Sequence, residues 1–327
     1  MSGPLIPGPA AGAGPGTIGT ILNRVWAILR GQMRLFLLLS TVPAGVTVLT
    51  YALVVGALFA AGILPPHPGQ IPDPNRLFVV VFLGILVTTI PLLLVYALLD
   101  AAACHAAIRA NRGERCSFSE AYGVAWRRAG RYIWLMVLRW LLVALPATVA
   151  WGMFAGGLFL SFRGHGAADP PSALLFLMIP VAMLAYALMM VYLVWMALRL
   201  GLAMPASLAE DLPAVQSLKR SFQLTLNGFW RIFLVFLVVY AIQYGVVMAL
   251  EMVAFALGGI GIFAATLLHV SAAVGIGLLI VFGCLFFCAA LFLGALSWAA
   301  YQITFCVIYD DQRGRMEPAT RALGGPA

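Results

Sequence analysis

The sequence predicts an all-α fold, a polytopic membrane bundle of six transmembrane helices, and three observations predict it. Hydrophobic residues make up 63% of the 327 positions and charged residues only 9%, with a mean hydropathy of +1.03. That composition excludes an ordinary soluble domain. Six apolar runs are each long enough to cross a hydrocarbon core of about 30 Å, which takes about 20 helical residues. All but two of the 19 Lys and Arg residues lie on one side of this pattern.

The apolar runs define the spans and, with the basic residues, their orientation. The runs fall at 35–63, 77–108, 132–162, 173–204, 229–257 and 273–308. Only Arg76 and Arg163 lie in the connections on one side of the membrane, whereas every other basic residue lies toward the opposite side. Because cytoplasmic connections carry the excess of Lys and Arg, both termini are predicted to be cytoplasmic.

Two terminal segments flank the membrane domain, which we place at 17–312. Residues 1–16 are rich in Gly, Pro and Ala and lack the basic and apolar regions of a signal peptide, so we expect a flexible arm. Residues 313–327 form a cytoplasmic tail. The net charge of +8 comes from residues that flank spans rather than from one soluble face. We therefore expect anionic membrane lipids as partners, and no nucleic acid.

Three stretches of sequence share one plan, a short amphipathic helix followed by a spanning helix. The resulting repeats cover about two spans each, at about 17–110, 117–205 and 213–309. Superposing them puts three aromatic residues at one position: Trp26, Trp126 and Phe222. Repeats of this kind are predicted to surround an axis normal to the membrane.

The amphipathic helices carry cations opposite an apolar stripe. In the second of them, Ser117 and Glu120 fit a capping box, in which the hydroxyl accepts an amide and the carboxylate returns to the cap amide. We expect these helices to lie in the interface, with apolar faces toward acyl chains and cations toward phosphates. The candidate headgroup contacts are Arg127, Arg128, Arg131, Lys219 and Arg220. The alternative is a surface for a membrane-protein partner.

The last connection is longer than one span requires. From Gly258 to Ile308 a continuous helix would extend roughly 75 Å at 1.5 Å per residue. The glycines at 258, 259 and 261 predict the end of the fifth span, followed by a short outer-face or re-entrant helix around 262–271. The sixth span is expected to continue toward Tyr309.

Four ionisable residues lie within the predicted spans: Asp100, Arg139, Arg199 and Glu251. Such residues are costly in hydrocarbon, so they mark either a pathway or a structural pair. Two alternative ion pairs fit the sequence, Asp100 with Arg139 and Asp100 with Arg199. Glu251 lies near the outer interface, where it would take a proton or a cation only if it faces a cavity.

No catalytic constellation is found, so we predict that the protein is not an enzyme and has no cofactor or metal. The histidines are scattered, at His67, His105, His165 and His269. No zinc-protease helix motif, nucleophile elbow or phosphate-binding loop occurs. Cys284 and Cys288 share a helical face, but without neighbouring His or carboxylate they are expected to be packing residues. The five cysteines also argue against a disulfide framework.

The end of the sixth span carries a candidate structural clasp. Tyr309, Asp311 and Arg313 emerge on the side that also carries Glu210 and Lys219. Partial desolvation at the inner interface strengthens ion pairs relative to open water. We therefore expect these groups to join the last span to a neighbouring connecting helix rather than to perform catalysis.

Three segments resemble the bacterial membrane proteins grouped with the membrane domain of glycerophosphoryl diester phosphodiesterase. They are residues 117–135, 204–233 and 309–315. The positions that carry the likeness are Pro205, Glu210, Lys219, Arg220, Ser221, Gly228, Trp230, Tyr309, Asp311 and Arg313. The resemblance implies a six-helix domain in the bacterial cytoplasmic membrane. It does not imply phosphodiesterase activity, because the His-Arg-Gly start of that enzyme's soluble barrel is missing from this chain.

Three functions follow as hypotheses, in order of preference. The first is a non-enzymatic inner-membrane scaffold or accessory factor in an envelope or lipid process. The second is a small-molecule or lipid transporter with a pathway between the repeats. The third is an intramembrane enzyme. Apolar packing between helices favours the first, a polar cavity the second, and convergent His and carboxylate groups the third.

Overall fold

The computed structural model describes residues 16–60, 74–163, 173–226, 228–267 and 272–322, and these form ten helices. In chain order the helices are α1 (Ile18–Gly31), α2 (Met33–Ala60), α3 (Pro74–Asn111), α4 (Phe118–Arg127), α5 (Ala129–Arg163), α6 (Ala173–Gly201), α7 (Ala203–Ala209), α8 (Ala214–Leu226), α9 (Phe229–Leu267) and α10 (Ala272–Ala322). The described part of the chain contains no strand, so the predicted all-α fold is confirmed.

Six of these helices are long and apolar enough to cross a membrane, namely α2, α3, α5, α6, α9 and α10. The chain is therefore a multi-pass integral membrane protein. Four of the six continue through an internal proline, at Pro43, Pro91, Pro146 and Pro180. Neighbouring helices and hydroxyl side chains make such prolines tolerable in membrane helices.

The fifth and sixth spans differ from the prediction. Helix α9 continues through Gly258 and Gly261 to Leu267, so the expected end at the glycine cluster is wrong. A continuous helix satisfies every backbone group in hydrocarbon, and this outweighs the weak helix propensity of glycine. The expected separate helix around 262–271 is absent from its described part, because residues 262–267 belong to α9. Residues 268–271 lie outside the described chain, and α10 extends into the predicted tail as far as Ala322.

The three amphipathic helices α1, α4 and α8 precede the spans α2, α5 and α9. Thr17 and Ser117 cap the first two, each accepting from the amide three residues later at 3.3 Å. Helix α1 packs against α10, α9, α2 and α3. Helix α4 packs against α3, α2 and α5, and α8 packs against α7, α6, α5, α10 and α9. Each connecting helix therefore contacts the two preceding spans and the following one, counted cyclically, and α1 and α8 each contact one further span. The threefold repeat itself stays a prediction.

The packed core lies at the end of the bundle that carries the connecting helices. Its largest fully buried side chains include Phe36, Tyr132 and Tyr309. Toward the other end no side chain is buried at 44–59, 181–195 or 240–261. Phe255, for example, is 87% exposed. The protein is therefore rigidly packed at the end predicted to be cytoplasmic, and its apolar side chains are open to lipid at the other.

Candidate functional site

A buried carboxylate joins α3 to α10 inside the packed end. Asp100 is 5% exposed, and its Oδ1 accepts from Gln302 Nε2 at 2.7 Å and from Trp298 Nε1 at 3.3 Å. Cys104 extends the network by donating to Gln302 Oε1 at 3.4 Å. The nearest cation is Arg139 of α5, whose Nη1 lies 4.0 Å from Asp100 Oδ2. Every polar contact of this carboxylate is made to another helix, which is the arrangement that a structural role requires.

Arg199, the other predicted partner of Asp100, lies in a different environment. Its guanidinium stacks over Trp195, 4.7 Å from the ring centroid, and over Phe222 at 5.7 Å. Aromatic faces stabilise a guanidinium that has lost part of its hydration. Arg199 therefore joins α6 to α8 and is not the cation that serves Asp100. Glu251 is exposed on α9 and has no partner among the described residues, so no polar cluster forms around it.

Three of the five candidate headgroup contacts are bound by protein carboxylates. Arg128 and Arg131 both contact Asp211 Oδ1, Arg131 at 2.6 Å. Arg220 pairs with Glu210 at 3.1 Å. Asp211 adopts a φ of 55°, a left-handed conformation that Asp tolerates better than most residues. This turn between α7 and α8 directs the carboxylate to α5, so these arginines fix helices together.

Arg127 and Lys219 are the two candidates that are exposed and have no acidic partner in the described part of the chain, whereas Arg128 is exposed but paired with Asp211. Arg127 and Lys219 remain available for lipid phosphates. Next to Arg127, Trp126 is 71% exposed, and Trp26 on α1 is 62% exposed. Indole rings prefer the headgroup level of a membrane, because they combine an apolar ring with a polar N–H. Phe222, which the repeat aligns with these tryptophans, is only half-exposed.

The apolar stripes of the connecting helices are only partly buried against protein. Ala125 of α4 and Leu218 of α8 are buried in the core, whereas Val215 and Leu226 of α8 are exposed, so contact of these stripes with acyl chains stays a prediction. Helix α8 also buries a hydroxyl row at every fourth position, formed by Ser217, Ser221 and Thr225. These hydroxyls donate to backbone carbonyls, and small residues allow close helix contact. The four-residue spacing was visible in the sequence, but we did not predict its role.

The predicted capping box is only half formed. Ser117 Oγ accepts from the Glu120 amide, but the Glu120 carboxylate contacts Arg109 Nη1 of α3. Arg109 also bonds Glu114 at 2.6 Å through its Nε. Tyr122 secures the same helix to α2 by donating to the Leu39 carbonyl at 3.2 Å, and burial raises the pKa of its phenol to about 12. Cross-helix contacts therefore replace the local capping contact.

The end of α10 makes two separate contacts. Tyr309 is fully buried and donates to Glu210 Oε1 at 2.7 Å, linking α10 to the turn before α8. Asp311 pairs with Arg231 of α9 at 2.9 Å rather than with Lys219 or Arg220. Asp311 also accepts from the Gly16 amide at 3.1 Å, so the last residue of the predicted arm is bound to α10. Arg313 is half-buried.

Charge reversal tests the contact between Asp311 and Arg231. We expect Asp311→Arg to lower the stability of the detergent-solubilised protein by about 2 kcal/mol, because a partly buried charged hydrogen bond is lost. Adding Arg231→Asp should restore part of the thermal midpoint. Lys219→Glu is the matched control, and its effect should add to that of Asp311→Arg. Additive effects for the Arg231 pair as well would contradict the contact.

Comparison with known proteins gives no match: no family model, no curated protein and no solved structure matches the chain.

Proposed function

We propose that this protein is a non-enzymatic inner-membrane protein that binds anionic lipids around its packed end and serves a lipid or envelope process as a scaffold or accessory factor. The observation that carries the proposal is that the connecting helices expose two tryptophans, Trp26 of α1 and Trp126 of α4, together with two cations, Arg127 of α4 and Lys219 of α8, that have no acidic partner in the described chain. Indole rings at headgroup depth beside free cations are typical of helices that contact an anionic membrane surface.

The packing of the bundle supports a lipid-binding role over catalysis. Asp100 Oδ1 accepts from Gln302 and Trp298, and Arg139 lies 4.0 Å from Oδ2, so this carboxylate already serves helix packing. Most of the core consists of apolar side chains, among them many alanines of α3. The resemblance to the phosphodiesterase-associated membrane proteins and the bacterial inner-membrane location remain part of the proposal. A scaffold that presents a fixed cationic surface needs no moving site.

A lipid transporter is the second candidate, and the lack of burial in the outer half-spans favours it. No side chain at 181–195 or 240–261 is buried, so acyl chains can contact the helices there. A transporter requires movement of lipid between leaflets. Reconstituted vesicles with a fluorescent lipid in one leaflet distinguish the two functions, since a scaffold leaves the rate of lipid exchange between leaflets unchanged.

The lipid proposal is tested by removing the two unpaired cations. We expect Arg127→Gln with Lys219→Gln to weaken retention of phosphatidylglycerol, because each cation near an anionic surface contributes about 1 kcal/mol. Native mass spectrometry of the protein released from detergent micelles that contain phosphatidylglycerol and phosphatidylethanolamine measures retention directly.

The matched control removes the same charge from cations that already have protein partners. Arg128→Gln with Arg220→Gln breaks the pairs to Asp211 and Glu210, so it should lower thermal stability and leave lipid retention nearly unchanged. Equal loss of lipid in both double variants would show that only net charge matters. Unchanged retention in the Arg127 and Lys219 variant would refute the proposed surface and favour a protein partner there.

A further inference from the structure

Three residues of different chemical type, which are separated in sequence, lie close together where α3 meets α4. His105 lies in the last turns of α3, Cys116 in the connection, and Glu120 in the first turn of α4. One ring nitrogen, the thiol sulfur and a carboxylate oxygen all lie within 4.8 Å of one another, and all three residues are half-buried. The sequence did not suggest this cluster, because the histidine precedes the other two by more than two helical turns.

One ring nitrogen of the histidine lacks a hydrogen-bond partner in the described chain. His105 Nε2 is buried and has no hydrogen-bond partner among the described residues. Buried polar atoms are nearly always paired, so an unpaired one calls for a bound water or ion. A ring nitrogen, a thiol and a carboxylate together make up the donor set that Zn²⁺ prefers, whereas Mg²⁺ and Ca²⁺ select oxygen alone.

The geometry is close to that of a zinc site. Bonds of about 2.0–2.3 Å in a tetrahedron put neighbouring donor atoms roughly 3.3–3.7 Å apart. The cluster therefore needs a contraction of about 1 Å at its widest separation. Cys116 can move by this amount because it lies in a connection without helical hydrogen bonds, after a turn in which Gly113 adopts a φ of 80°.

The surrounding charges are suitable for a divalent cation. Arg109 contacts both Glu114 and Glu120, so one positive charge faces two negative ones. With metal bound, the Cys116 thiolate adds a third negative charge. A divalent cation balances this excess of negative charge. Arg109 contacts Oε1 of Glu120, which leaves Oε2 for the metal and provides the outer hydrogen bond that ligating carboxylates usually have. The nearby Arg112 and Arg115 are exposed, so solvent screens them.

We propose that His105, Cys116 and Glu120 bind one Zn²⁺, with water as the fourth ligand, and that the metal fastens α4 to the end of α3. The thiol proton passes to solvent as the sulfur–metal bond forms. This site is additional to the proposed lipid surface and independent of it. Its loss would leave Arg127 and Lys219 exposed as before.

Co²⁺ is the probe for the site, because it takes the place of Zn²⁺ and absorbs light when bound to thiolate. Full-length protein, stripped with a chelator in detergent, should bind one equivalent of Co²⁺ with a sulfur-to-metal band in the near ultraviolet. Zn²⁺ should displace it. Cys116→Ser should abolish the band. His105→Ala should weaken Co²⁺ binding at least about 100-fold, because the loss of a residue that only hydrogen-bonds to a metal ligand already costs up to about 100-fold in affinity. Cys288→Ser, which removes an exposed thiol of α10, should leave both unchanged.

A second measurement uses the wild-type protein, so its result does not depend on whether the variants fold. Alkylation of each cysteine is followed by peptide mass spectrometry with and without Zn²⁺. Zinc should slow alkylation of Cys116 at least tenfold and leave that of Cys288 unchanged. Absence of the band in the wild-type protein, an unchanged band in Cys116→Ser, or equal alkylation of Cys116 with and without zinc would each overturn the proposal.

Discussion

Gly201→Ala is expected to destabilise the protein by about 1–3 kcal/mol, the usual cost of adding a methyl group to a well-packed core. Gly201 is buried at the end of α6, and a Cβ there would overlap the ring of Phe305 on α10. That ring has little freedom to move, since it packs against Phe236 of α9 with ring centroids 4.3 Å apart. The thermal midpoint of the detergent-solubilised protein measures the effect.

Two further variants make this prediction specific. Gly245→Ala is the matched control, because Gly245 lies inside α9 with nothing within 4 Å of an added Cβ. It should leave the midpoint unchanged or raise it slightly, since alanine favours helix. Combining Gly201→Ala with Phe305→Leu should recover part of the loss, because the smaller side chain makes room. Equal midpoints for the two single alanine variants would mean that α6 and α10 do not pack closely here.

Asp100→Ala is expected to lower the free energy of unfolding by about 3 kcal/mol, the lower end of the range for removing one partner of a buried ion pair. The substitution leaves the donors of Gln302 and Trp298 without their acceptor and Arg139 without its nearest carboxylate. Asp100→Asn should cost less, because the amide oxygen still accepts from Gln302. Thermal unfolding and the yield of monodisperse protein both report the change.

The control for Asp100 is Glu251, an exposed carboxylate within the fifth span. Glu251→Ala removes an exposed side chain that has no partner in the described chain, and it should leave the midpoint unchanged. If Arg139 contributes to the network, the double variant Asp100→Ala with Arg139→Met should lose less stability than the sum of the losses of the two single variants. A midpoint for Asp100→Ala equal to that of Glu251→Ala would argue that the carboxylate is solvated and serves a pathway.

The spans and connecting helices could be predicted because they depend on local sequence. Hydropathy over about 20 residues determines insertion, and the helical period determines which face of α8 carries Leu218. The cap at Ser117 was predictable for the same reason, since its acceptor and donor are three residues apart. The end of α9 was not, because glycine lowers helix propensity only slightly compared with the cost of unpaired backbone in hydrocarbon.

The partners of charged side chains were mostly beyond prediction. Arg128 contacts Asp211, 83 residues away, and Asp311 contacts Arg231. Several cations lie on the same side of the membrane, so sequence alone offers each carboxylate many partners of similar energy. Helix packing decides between them. The proximity of His105 to Cys116 was also beyond prediction, because it depends on the packing of α4 against α3.

The packing of α1 against α9 and α10 has a consequence for biosynthesis. Gly16 bonds Asp311 and Arg231, residues made almost three hundred and more than two hundred positions later. Helix α1 is synthesised long before α9 and α10, yet α10 is the helix against which it packs most extensively. Until α9 and α10 are inserted, α2 and α3 are the main protein surfaces available to α1, so lipid must cover part of the face that carries Ile21, Val25 and Ile28. A chain that stops before α10 therefore leaves α1 only partly packed on protein.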